Sequence, residues 1–128
     1  MTIRLTLAIA IAIAVSAAAC ADSRETFDDS TQPIEMRRGA EFDLELKSNQ
    51  STGHRWLLVD SGGLGPLRHV GTRYTISREY RDRNGAGGTE RWTFAAPEPG
   101  DGVVTLVYAR PWERAAAKDT ARFRVHVR

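Results

Sequence analysis

Apolar and charged residues alternate strictly over Phe42-Asp43-Leu44-Glu45-Leu46-Lys47, the period-two pattern of a strand with one face buried. The pattern returns at the C-terminal end, where Phe123, Val125 and Val127 alternate with Arg122, Arg124, His126 and Arg128. Between these two stretches the spacing predicts further strands over His54–Asp60, Thr72–Tyr80, Thr89–Ala95 and Val103–Arg110. Val70 belongs either to the second of these or to a short strand before it. Turn signals separate them: Ser61-Gly62-Gly63-Leu64-Gly65-Pro66, then Asn84-Gly85 with Gly87-Gly88, then Pro97 to Gly102. Arg114 to Lys118 is the one helical pattern, and it is too short to be more than a turn within a loop. From Ile34 to Arg128 the chain therefore predicts one all-β domain, a sandwich or a barrel.

The N-terminal part follows another pattern. Leu5 to Val15 is an almost unbroken apolar run behind Arg4, and Ser16-Ala17-Ala18-Ala19 precedes Cys20. That is the layout of a secretory signal over residues 1–19, and the run is short of the roughly 20 residues that a spanning helix needs. Cys20 is the sole cysteine of the 128 residues, so no disulfide forms within one chain. Its position after small residues resembles a lipobox, with acylation of Cys20 and attachment to a membrane. Ala17 departs from the large aliphatic usual there, and cleavage of an ordinary signal after Ala19 is the competing expectation. Residues 20–33 are polar and acidic without an apolar period, which predicts a flexible tether. Asp28-Asp29 has no histidine nearby and reads as solvated tether rather than as a metal site.

Charge does little to select a partner. The formal net charge is +2, and removal of residues 1–19 takes one arginine and leaves +1. The arginines are scattered among acids, which argues against nucleic acid. His54, His69 and His126 are dispersed, so no metal centre or catalytic triad emerges from spacing, and no cofactor is implied.

The polar loop Asn49-Gln50-Ser51-Thr52-Gly53-His54 leads into Trp56-Leu57-Leu58-Val59, a recognition element mounted on a rigid strand. Asn49-Gln50-Ser51 also matches a glycosylation sequon, a reading that bacterial lipidation at Cys20 would disfavour. When strands run up and down, alternate connections share an end. The loops at 48–53, 85–88 and 110–113 should then cluster. They carry the least ordinary residues of the chain: the hydroxyl and amide group, the glycines Gly85, Gly87 and Gly88, and Arg110-Pro111-Trp112-Glu113. Pro111 interrupts a strand ladder, and a tryptophan beside it with an arginine neighbour suits an interface anchor.

In this order the three segments resemble the signature of chagasin-type inhibitors of papain-like cysteine proteases. That signature is an Asn-Pro-Thr-Thr-Gly-aromatic-x-Trp loop, a Gly-x-Gly-Gly loop and an Arg-Pro-Trp loop. Asn49, Thr52, Gly53 and Trp56 match; Gln50 stands in place of proline, Ser51 of threonine and His54 of the aromatic. The resemblance covers about Ile34 to Arg128. It implies an immunoglobulin-like sandwich, acting as a monomeric, reversible inhibitor rather than an enzyme, with its first loop in a protease cleft and the other two on the sides. Asn49, Gln50, Ser51, Thr52, Gly53 and His54 would then meet the protease, with Ser51 and Thr52 next to the catalytic pair. Gly85, Gly87 and Gly88 would lie along the substrate channel, and Arg110, Pro111 and Trp112 would form an anchor. Trp56 and Trp92 would brace the loops, although both suit a core equally well. Gln50 removes the fixed φ of proline and predicts a less preorganised loop, and His54 keeps a flat ring in place of the aromatic and adds an expectation of pH-dependent binding. An adhesion or assembly module of the cell envelope, using the same loops, is the alternative that fold alone would leave open.

Overall fold

A computed structural model describes residues 24–59, 61–76 and 87–128. The signal segment, Cys20, Asp60, Gly85 and the expected strand continuation from Ser77 to Tyr80 lie outside the described residues. Among the described residues eight strands follow in order: β1 (Glu25–Phe27), β2 (Ile34–Met36), β3 (Glu41–Ser48), β4 (Arg55–Leu58), β5 (Arg68–Ile76), β6 (Gly88–Ala95), β7 (Gly100–Ala109) and β8 (Asp119–Val127). They form two four-stranded sheets, β1-β3-β6-β5 and β2-β8-β7-β4, stacked as an immunoglobulin-like β-sandwich.

The alternation read from the sequence sets the faces. Ala121, Phe123, Val125 and Val127 of β8 are buried while the residues between them are exposed. Phe42, Leu44 and Leu46 of β3 face them from the other sheet, beside Trp92 and Phe94 of β6. Phe42 and Phe94 stack at 5.8 Å between ring centroids. Burying such side chains contributes roughly 1.5–3 kcal/mol each before entropy is counted, which makes this layer the main source of stability.

Two expectations are corrected here. The segment expected as tether contains β1, which runs parallel to β3 with Glu25 opposite Phe42 and Phe27 opposite Leu44. Phe27 packs its ring edge against Phe42 at 6.2 Å, and Arg24 extends over β3. An Asx turn follows, in which the Thr31 hydroxyl and N–H hold the Asp29 carboxyl below the usual carboxylate range. Asp43 is the second correction. The alternation places it on a solvent face, yet it is only 2% exposed. Thr93 Oγ1 donates to it at 2.6 Å, and Arg24 Nε covers its other oxygen at 3.3 Å. A buried carboxylate is tolerable because it is paired on both oxygens.

The strand register fixes where the loops lie. Ser48, the end of β3, pairs with Gly88, the start of β6, which also pairs with Ile76, the end of β5. In the other sheet Arg55, the start of β4, pairs with Ala109, the end of β7. The β3–β4 loop, the start of β6 and the β7–β8 loop therefore share one pole. β1, parallel to β3, begins at the opposite pole.

Candidate functional site

The first loop is folded by its own side chains. Asn49 caps a single 3₁₀ turn over Gln50–Thr52, its Oδ1 accepting from Ser51 N at 3.2 Å and from Ser51 Oγ at 2.5 Å. Thr52 Oγ1 donates to Asn49 O at 3.0 Å. Gly53 closes the turn with φ +81°, a left-handed conformation that a side chain resists, and its N–H donates to Gln50 O at 3.1 Å. Ser51 and Thr52 are exposed at the tip.

Beneath the loop lies a shelf of three rings. Tyr108, near the end of β7, takes Asn49 N–H on its hydroxyl at 2.9 Å and returns its proton to Asn49 O at 3.1 Å. Its ring packs against Trp56 at 5.3 Å and His54 at 5.5 Å. Trp56 donates its indole N–H to Lys47 O at 3.0 Å, tying the start of β4 to the end of β3. His54, expected among the contact residues, is 6% exposed and lies under the loop with Nδ1 2.9 Å from Thr52 Oγ1. It supports the tip from inside instead of forming its surface.

The third loop leans on the first. Arg110-Pro111-Trp112-Glu113 is a β-turn closed by Glu113 N to Arg110 O at 2.9 Å, with proline at the position whose φ it presets. Arg110 Nε donates to Thr52 O at 3.2 Å, and its Nη1 lies 3.9 Å from Glu113 Oε2. The Trp112 ring passes over Gly53, with Cη2 3.2 Å from where a Cβ would stand. The close approach that Gly53 permits is thus made first by this chain's own tryptophan. Trp112 still leaves 71% of its surface exposed, a large apolar group held rigidly in solvent.

The second loop enters the described region at Gly87. An open groove of about 490 Å³ separates it from the first loop, lined by Lys47, Ser48, Asn49, Gly88, Thr89 and Tyr108 together with Gly87. A Cβ at Gly87 would meet only Ser48 O, at an ordinary contact distance of 3.8 Å. Gly88 is glycine for an internal reason, since a Cβ there would strike Thr75 O and the Tyr74 ring. Trp92 is 7% exposed and lies four residues further along β6, in the core. It braces the pole at one remove: its indole donates to Glu90 Oε1 at 3.2 Å, and Glu90 Oε2 accepts Trp56 N–H at 2.9 Å. Glu90, 1% exposed, therefore joins the two sheets directly under the loops and satisfies an edge N–H of β4.

Asn49, Gln50, Ser51, Thr52, Gly53, Gly87, Gly88, Arg110, Pro111 and Trp112 are thus brought to one pole. Tyr108 and Glu90 are the members that sequence reasoning missed. Among the described residues no group of three His, Cys, Asp or Glu side chains is placed to hold a metal ion.

Comparison with known proteins agrees on one family. The model of the chagasin family of peptidase inhibitors, I42, matches residues 35–127. Amoebiasin-1 of Entamoeba histolytica is 26% identical over 102 residues, covering 80% of this chain and 96% of that protein. The crystal structure of the cysteine protease inhibitor EhICP2, from the same organism, is 15% identical with a TM-score of 0.66, covering 81% of this chain and 95% of its own. PbICP-C, solved in complex with falcipain-2, is 17% identical with a TM-score of 0.53 over 82% of this chain and 89% of its own.

Proposed function

The chain belongs to the chagasin family of peptidase inhibitors, and we propose that it reversibly blocks the active-site cleft of papain-like cysteine proteases with the three loops of one pole. The observation that carries this reading is the cross-bonded pair of loops. Arg110 holds Thr52 O, and the exposed Trp112 rests on Gly53, so the tip and the anchor form one rigid wedge. That a chain of the same fold was solved with falcipain-2 supports a protease as partner.

The loop geometry supports blocking without cleavage. A protease attacks an extended backbone, with the scissile carbonyl presented in line to the thiolate. Gln50–Thr52 is instead wound into a 3₁₀ turn, and the Thr52 carbonyl is occupied by Arg110. The internal bonds from Asn49 supply the rigidity that proline would otherwise give at position 50. Ser51, Thr52 and Gln50 would lie deepest in the cleft, with Gly87 and Gly88 on one wall and Pro111 and Trp112 on the other. Export of the chain and its attachment through an acylated Cys20 form part of the same proposal, supported by the apolar run and small residues of 1–20. Metabolic labelling with a radioactive fatty acid, lost on Cys20→Ala, tests the attachment.

The decisive experiment titrates residues 21–128, which contain every described strand, into papain with a fluorogenic substrate. Stoichiometric loss of activity with the inhibitor recovered uncleaved is expected. Undiminished activity at micromolar excess over several papain-like enzymes would overturn the proposal. Trp112→Ala should raise the dissociation rate and cost about 2 kcal/mol of binding; an unchanged rate would remove the third loop from the contact.

A further inference from the structure

The outer face of the sheet β1-β3-β6-β5 carries its charges unevenly. Glu41, Asp43 and Glu45 alternate along β3. On the same face β5 and β6 oppose Arg68 to Ala95, Gly71 to Thr93, Arg73 to Arg91 and Thr75 to Thr89, so that side holds arginines and no acid. Arginines directly opposite one another repel, and such a pair weakens a sheet. The chain compensates only in part. Arg91 Nη2 lies 3.6 Å from Glu45 Oε2, an ion pair too long for a hydrogen bond. Among the described residues Arg73 has neither an ion pair nor a hydrogen-bond partner.

The two arginines line a cleft of about 230 Å³ together with Arg24, Gly71, Thr72 and Thr93. Side chains from three segments thus bring guanidinium groups to one depression with no acid in its lining. Arg24 is turned to Asp43 and Glu41, and the Thr93 hydroxyl proton is spent on Asp43. The uncommitted donors are therefore those of Arg73 and Arg91. Gly71 keeps the cleft open. Its φ is not positive, and a Cβ there would meet nothing within 4 Å, so neither backbone nor packing calls for glycine, even beside the irregularity at His69. Glycine inside a strand weakens it, and close approach of a ligand to the backbone is the reason that remains.

We infer that Arg73, Arg91 and Gly71 form a binding site for a phosphate group, with Arg24 at its rim. A phosphate suits this cleft better than a carboxylate does. A carboxylate is planar and singly charged, and one guanidinium fork satisfies it. A phosphate monoester carries up to two charges and turns oxygens in several directions, so it can bridge two guanidinium groups and relieve their repulsion. The site lies on the flat of the sheet, away from the three loops, and does not depend on the inhibitory function.

Residues 21–128 with ¹⁵N-labelled arginine, titrated with inorganic phosphate near neutral pH at constant ionic strength, test this. Saturable shifts of the Arg73 and Arg91 Nε–H signals are expected, unmatched by acetate. Arg73→Gln should weaken binding roughly tenfold or more. It should also raise the melting temperature without phosphate, because the repulsion is gone, and erase the rise that phosphate gives the wild type. Gly71→Val keeps both arginines and suits a strand but fills the cleft; it should melt no lower than the wild type and lose the binding. Shifts no larger than those with acetate would overturn the inference, as would phosphate binding unchanged in either variant. Phosphoserine, and vesicles of phosphatidylcholine with phosphatidic acid, then distinguish the sources. A soluble monoester site binds the first alone, whereas a headgroup site sediments with the vesicles and is released by inorganic phosphate. Inorganic phosphate bound with neither of them marks an adventitious ion only and overturns the site.

Discussion

Tyr108→Phe removes one oxygen atom and tests what holds the first loop in shape. The ring stays, with its contacts to Trp56 at 5.3 Å and His54 at 5.5 Å. Two hydrogen bonds go: Asn49 N–H at 2.9 Å and Asn49 O at 3.1 Å. The carbonyl keeps Thr52 Oγ1 as a donor, so the loss falls mainly on the N–H. Asn49 is half-buried, and water reaches it in part, which places the cost near the lower end of the range for an orphaned donor, about 1–2 kcal/mol. For a domain of this size that corresponds to a fall of roughly 5–10 °C in melting temperature. The free loop then spends part of its time outside its binding shape, and apparent affinity drops by the fraction lost, about three- to tenfold. Tyr108→Ala, which also removes the ring contacts, should cost about 3–5 kcal/mol. Urea denaturation followed by tryptophan fluorescence gives the first quantity, and tight-binding titration against papain the second. If Tyr108→Phe matches the wild type in both, the hydroxyl does not organise the loop.

Glu90→Met leaves Trp56 N–H and the Trp92 indole N–H without acceptors between the sheets and should cost about 2–5 kcal/mol in a urea titration; equal stability would mean that relief of carboxylate burial outweighs both bonds. Gly53→Ala forces a side chain into φ +81° and against Trp112. It should cost about 1–2 kcal/mol and weaken inhibition more than stability, as paired melting and inhibition curves would show. His126 lies opposite Asp101 on β7 and beside Glu35 on β2, and its bond to Asp101 at 2.6 Å raises its pKa above the ordinary histidine value. A raised folded value stabilises the domain fully below the unfolded value of 6.5 and loses that contribution as pH rises through the folded one. NMR titration of the His126 ring should give a midpoint above 6.5 that falls back in Asp101→Asn; an unmoved midpoint would sink the pairing.

The strands were legible because one buried face and one wet face write a period of two into the chain, cleanest in β3 and β8. The shared pole was legible from the parity of the connections. Other features were hidden for identifiable reasons. β1 is three residues long with Phe27 as its only large apolar side chain, too little to show a period. The irregularity between His69 and Gly71 in β5 obscured the placing of Val70, which belongs to that strand. Glu90 shares the inward parity of Trp92 and Phe94 and was readable as buried, had the alternation been followed through a charged residue. Tyr108 likewise shares the parity of Val104 and Leu106, two residues before Arg110, where an aromatic with a polar tip suits the boundary between core and loop. His54 looked like surface because its neighbours are polar; its burial comes from Tyr108, a residue of another strand.

The parallel pairing of β1 with β3 fixes the end of the sandwich at which β1 begins, opposite the loops. Arg24 meets Glu41 and Asp43 at the end of the sandwich farthest from Thr52 and Trp112. Four residue steps separate Cys20 from Arg24, a reach of at most about 14 Å even when fully extended. An acyl chain at Cys20 would hold the domain upright on a short stalk, with its wedge presented to the aqueous space like a lamp on a post. Target enzymes would then be met in solution above the bilayer, and a purification tag or surface coupling placed upstream of Arg24 would leave the wedge unobstructed.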